Sequence, residues 1–176
     1  MLWRTERADE PQQPVSEIVS AKYLSRAVMI HLGLNVTASA SGMWPGRSPD
    51  VIRHLGTIMA GAKATNLPIE IRIEATNIKS YSFSLPDRNN LIALWTDGVA
   101  VDDDPGVKAT LILPGFSDQW VMGIDVLHGF QQQMITDTEG ENLVIRNLMV
   151  KDYPIILRIA PTRYVFLPVL VKGYAR

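Results

Sequence analysis

From Leu67 onward the apolar residues return at every second position, and that alternation leaves few folds open to the chain. Ile69, Ile71 and Ile73 are separated by Glu70 and Arg72, and Tyr81, Phe83 and Leu85 by Ser82 and Ser84. Side chains along a strand point alternately to opposite faces, so this pattern makes strands with one buried and one wet side. Pro86-Asp87-Arg88-Asn89-Asn90 has the composition of a hairpin turn and leads back into Leu91–Thr96. Further strands are expected over Val107–Leu113, Trp120–Leu127, Phe130–Thr136, Leu143–Leu148 and Pro154–Ile159, with breaks at Gly129, Gly140 and Lys151-Asp152. Roughly eight strands with turn signals every ~8–12 residues describe an antiparallel β-sandwich.

Upstream of Ala62–Asn66 the period is helical. Ser16 is placed to cap a helix running to Leu32, with Glu17 complementing the positive end of its dipole and Gly33 expected in a left-handed terminating position. Its second half, Ala27-Val-Met-Ile-His-Leu, is apolar nearly all round and calls for cover on more than one side. Leu34–Ser39 reads as a short strand. Ser48-Pro49-Asp50 then opens a second helix, with Ile52, Leu55, Met59 and Ala62 on one face and Gly61 near its end. The fold class is therefore α+β: a helix-strand-helix unit followed by the sandwich. The expected division is residues 1–66, residues 67–160 and an apolar tail over 161–176.

Bulk composition removes several functions. The formal net charge is -1, with 17 basic against 18 acidic residues, so there is no electrostatic footprint for nucleic acid. With no cysteine there are no disulfides, thiolate metal sites or cysteine nucleophiles. The longest apolar runs, Ala27–Leu32 and Tyr164–Val171, fall far short of the ~20 residues of a membrane span. The N-terminus carries no apolar stretch of signal-peptide length, which makes the cytoplasm the default location.

The segment Ser16-Glu-Ile-Val-Ser-Ala-Lys-Tyr-Leu-Ser-Arg26 resembles the helix after the seventh strand of retaining (β/α)8-barrel glycoside hydrolases. Those families commonly show Glu-x-x-Gln-Ala-x-Tyr-Leu-x-Arg there, with glutamine where this chain has Ser20. The stretch from Pro68 to Ile159, including Trp95-Thr-Asp-Gly, Asp125-Val-Leu-His-Gly and Tyr153-Pro-Ile-Ile-Leu, resembles their C-terminal β-sandwich. The resemblance implies that residues 1–66 are a TIM barrel fragment: the end of strand 7, helix 7, strand 8 and helix 8. It places Glu6, in Leu2-Trp-Arg-Thr-Glu, at the position of the catalytic nucleophile, although Arg7 departs from the small or aromatic residue usual after it. Such an enzyme needs a second carboxylate about 5–5.5 Å away as general acid/base. The resemblance assigns that group to the fourth barrel strand, which this chain lacks. A lone carboxylate does not hydrolyse a glycoside, so the implied role is an accessory domain, inactive as a hydrolase by itself. Trp44, just past the eighth strand, is then a candidate sugar-stacking residue.

Other motifs carry less. Asp102-Asp103-Asp104-Pro-Gly has carboxylates in sequence but not the spacing of a calcium loop. His31, His54 and His128 show no metal-ligand spacing, and no metal or cofactor is expected. Asp125 sits within an apolar strand, where it must be solvated or hydrogen-bonded, and the resemblance implies that it ties that strand to a neighbouring turn. Two rival functions stand beside the glycosidase-derived one. One is a carbohydrate-binding module using exposed Trp95, Trp120 or Tyr81; the other is an interaction domain without ligand. Exposure of Trp95 and Trp120 separates them. The partners expected are a carbohydrate, an upstream barrel polypeptide, or a second copy meeting the exposed apolar helix or tail.

Overall fold

The computed structural model describes residues 15–36 and 48–161. It contains helices α1 (Glu17–Gly33) and α2 (Ser48–Ile58), then ten strands. These are β1 (Lys63–Thr65), β2 (Glu70–Ile73), β3 (Ile78–Ser84), β4 (Asn90–Thr96), β5 (Val107–Pro114), β6 (Gln119–Asp125), β7 (Gln131–Gln133), β8 (Asp137–Glu139), β9 (Asn142–Val150) and β10 (Ile155–Pro161). The strands form two antiparallel sheets, ordered β1-β3-β4-β10-β6-β7 and β2-β5-β9-β8. The α+β class holds. The two additional strands, β1 and β8, are three residues long and mostly polar, so neither carries an alternation that would announce it.

Three layers result. Leu91, Ala93 and Trp95 of β4 face the helices in one core with Ala21, Met29, Val51, Leu55 and Ile156. Ile92 and Leu94, on the other side of the same strand, meet Leu111, Leu113, Ile145 and Leu157 between the sheets. A strand covered on both faces reads as a continuous apolar run, as Leu91-Ile-Ala-Leu-Trp95 does.

Helix α1 begins as expected: the Ser16 hydroxyl accepts the Val19 N–H at 3.1 Å. Its end differs. Gly33 is the last helical residue, and Asn35 takes the left-handed position at φ 53°. The Asn35 N–H reaches Leu32 O and the Val36 N–H reaches His31 O, the paired bonds of a Schellman motif. Leu34–Val36 thus belongs to this cap, and the rest of the expected Leu34–Ser39 strand lies outside the described residues. Glycine at 33 answers to packing instead, since a Cβ there would lie 2.0 Å from Tyr81 Cδ1.

Helix α2 is rotated from its expected face. Val51, Leu55, Ile58 and Met59 are buried, whereas Ile52 is exposed. Ser48 lies within the helix as described, and its buried hydroxyl has no hydrogen-bond partner among the described residues, so it makes no capping bond to the N–H groups that follow it.

Substituting Gly33 should therefore be costly. Gly33→Ala must displace the Tyr81 ring, which stacks on the fully buried Trp95, and is expected to lose roughly 1–3 kcal/mol in urea unfolding. Gly56→Ala, in an exposed part of α2 with open space around its Cα, should instead gain about 0.5–1 kcal/mol.

Candidate functional site at the helix–sandwich junction

The face that α1 buries most deeply is charged. Residues four apart share a helix face, which puts Lys22 and Arg26 together over the sheet, with Ser25 beside them. Lys22 is 2% exposed and Asp152 4%. The Lys22 ammonium lies 2.7 Å from Asp152 Oδ1, donates to Val101 O at 2.5 Å, and sits 5.4 Å from the centre of the Tyr153 ring. Asp152 Oδ2 accepts the Val101 N–H at 2.9 Å. Arg26 donates from Nε to Asp152 O and from Nη1 to Gly98 O, both at 2.6 Å. A buried charge is tolerable only when paired and hydrogen-bonded. The two charges face each other, with Lys22 hydrogen-bonded through Val101 O and Asp152 through Oδ2. Asp152 Oδ1 meets the ammonium by charge and not by an aligned hydrogen bond.

The same groups pin the loop from Asp97 to Gly106. The Tyr23 hydroxyl accepts the Ala100 N–H, Ser16 donates to Asp102 Oδ1, and Asp104 Oδ2 accepts the Asp152 N–H. Asp102 and Asp104 therefore act as loop ties. Among the described residues, no group of three or more histidines and carboxylates is placed to hold a metal ion.

Tyr153 joins this junction to a second cluster. Its hydroxyl donates to Asp125 Oδ2 at 2.9 Å, and the same oxygen meets His128 Nδ1 at 3.0 Å. Asp125 Oδ1 accepts the N–H groups of Leu127 and His128. The carboxylate thus ties strand β6 to its following turn, the structural role expected for it. His54 Nδ1 donates to Val126 O at 2.8 Å and anchors α2 to the same turn. Burial, followed by the nearby Asp125 charge and hydrogen bond, pushes the Tyr153 hydroxyl well above its ordinary value. It is a donor held in its neutral form.

Of the aromatic residues weighed for sugar binding, Trp95 is fully buried and Trp120 is half-buried. Tyr81 is half-buried and packs between Gly33 and Trp95. None forms an open platform. Glu6 and Trp44 lie outside the described residues. A shallow depression of about 530 Å³ runs along β2 and β5, bordered by Arg72, Glu74 and Lys108. Its Arg72 guanidinium is already engaged by Glu70 at 2.6 Å. No described helix is long and apolar enough to cross a membrane.

Sequence reasoning missed the Lys22–Asp152 pair because a lysine in mid-helix ordinarily faces water. The signal was its spacing: Lys22 shares a side with Ala21, Ser25 and Met29, not with the exposed Tyr23.

Tyr153 should leave a mark on alkaline stability. Its folded pKa is raised above the unfolded value of about 10, so its contribution is complete below that pH and is lost as pH rises toward the folded value. Urea unfolding across pH 8–11, a range chosen to bracket the unfolded value, should show a decline beginning near pH 10 that is shallower in Tyr153→Phe.

No protein-family model matches the chain, and no curated protein is significantly similar to it.

Proposed function

We propose that this chain is the C-terminal part of a glycoside-hydrolase-like protein, a structural β-sandwich joined to the last two helices of a barrel and inactive as a hydrolase by itself. The observation that supports this reading most is the seating of α1 and α2 together on one face of the six-stranded sheet. The sandwich spends that face on holding helices, and its central tryptophan lies beneath them. A carbohydrate module built on Trp95, Trp120 and Tyr81 would need the same face open. In the proposed role the junction fixes the barrel's end to the accessory domain. Glu6 takes the nucleophile position and Trp44 a sugar contact. Tyr23, Leu34 and Val36, all exposed, form a surface for a barrel supplied by further sequence.

Purified chain is expected to show no turnover on aryl glycosides, because general acid–base assistance alone is typically worth 10²–10⁴-fold and its carboxylate is missing. It should also bind a hydrophobic dye or self-associate through the exposed Tyr23, Leu34 and Val36, since Val28, Ile30 and Leu32 of α1 pack against the core. Turnover abolished by Glu6→Gln would overturn the inactive assignment. A monodisperse, dye-silent monomer would remove the case for a missing barrel.

A further inference from the structure

We propose that the chain's own residues 169–176, beyond β10, dock on an acid-rimmed apolar patch formed by the start of α1 and the 97–106 loop. Val99 and Val101 flank the buried Ala100, and both are exposed, Val99 at 83%. Two hydrogen bonds hold the start of α1 beside them. The Tyr23 hydroxyl accepts the Ala100 N–H, and Ser16 donates to Asp102 Oδ1. Val15 and Tyr23, both exposed, therefore border the two valines. None of the four belongs to either core.

The rim of the patch is negative. Asp102 and Asp103 are exposed, and among the described residues neither has a cationic partner. No lysine or arginine occurs between Asp97 and Gly106. The nearest cations, Lys22 and Arg26, are buried beneath the loop. Lys22 is committed to Asp152, and Arg26 to the carbonyls of Asp152 and Gly98. Such a surface calls for an apolar segment that carries positive charge.

The stretch after β10 has that composition. Val169-Leu-Val171 is followed by Lys172 and Arg176, and residues 162–176 include three bases, counting Arg163, and no acid. Residues 1–14, which lead into Val15, hold Glu6, Asp9 and Glu10 against Arg4 and Arg7, and so do not complement the rim. Reach agrees with charge. Strand β10 starts just after Asp152, at the loop, and carries the chain away from it over roughly 20–25 Å at ~3.3 Å per residue. About seven extended residues retrace that length, which returns the chain to the loop near Val169. The apolar run then covers the valines, and Lys172 and Arg176 meet the carboxylates. This contact goes beyond the scaffold reading and is separable from it. Leu34 and Val36, at the other end of α1, stay open to a barrel whether or not the patch is covered.

The chain contains no cysteine, so a cross-link between two introduced ones reports a single contact. In the full chain, Val99→Cys combined with Val171→Cys should form an intramolecular disulfide under mild oxidation, seen as a reducible mobility shift of the monomer. The comparison is Glu141→Cys combined with Val171→Cys. Glu141 is exposed, and its carbonyl accepts the Gly115 N–H near Gln119, the residue paired with Pro161 at the end of β10. A tail without a docking site would find that position at least as readily. The Val99 pair should close about tenfold faster, because docking raises its effective concentration. Asp102→Asn with Asp103→Asn should slow it severalfold, as should added salt. Asparagine at 102 keeps an acceptor for the Ser16 hydroxyl, so the tie between loop and helix survives. Equal rates for the two pairs would overturn the proposal, as would a Val99 rate that loss of both carboxylates leaves unchanged. Disulfide-linked dimers in place of the monomer product would assign the patch to a second copy and overturn it equally.

Discussion

The ion pair between Lys22 and Asp152 is the interaction on which the arrangement of helices and sheets depends. Both groups are almost wholly removed from water, so neither tolerates the loss of the other. Asp152 lies just before β10, the strand between β4 and β6 in the six-stranded sheet. Lys22 lies in the first half of α1. A hydrophobic contact between helix and sheet would permit sliding, because burial has no direction. A buried charge pair with fixed backbone partners on the 97–106 loop does not.

This explains how a helix with a weakly patterned apolar surface keeps one orientation. The apolar work is done elsewhere. Met29 at the far end of α1 joins Val51, Leu55 and Ile58 of α2 over Leu91, Ala93 and Trp95. Tyr153 lies between the two polar clusters: the Lys22 ammonium sits over its ring, and its hydroxyl donates to Asp125, which also meets His128.

The sandwich was legible because its strands obey the period of two. Ile71 and Ile73 are half-buried between exposed Glu70 and Arg72, and the Pro86–Asn90 turn falls between β3 and β4 as its composition implies. What escaped was set by tertiary contacts. Val51 displaced Ile52 from the buried face of α2, because that face is chosen by the sheet beneath it and not by the helix alone. Gly33 reads as a helix terminator but is required by the Tyr81 ring, a partner 48 positions away in sequence. Lys22 and Arg26 look solvated until Asp152 and the Gly98 and Val101 carbonyls arrive to meet them. The sequence pattern starts a strand at Phe130, whereas β7 begins at Gln131 and the Phe130 side chain is exposed.

The claim that a desolvated ion pair fixes the helix to the sandwich is tested most directly by a double-mutant cycle on Lys22 and Asp152, followed by urea unfolding. Lys22→Met alone should cost roughly 3–5 kcal/mol, because it strands a buried carboxylate. Adding Asp152→Asn, which keeps an acceptor for the Val101 N–H, should recover a large part of that loss and give a strong coupling energy. A single-mutant cost within about 0.5 kcal/mol of zero, the range of an ordinary surface substitution, would show that the pair is not what holds α1 in place.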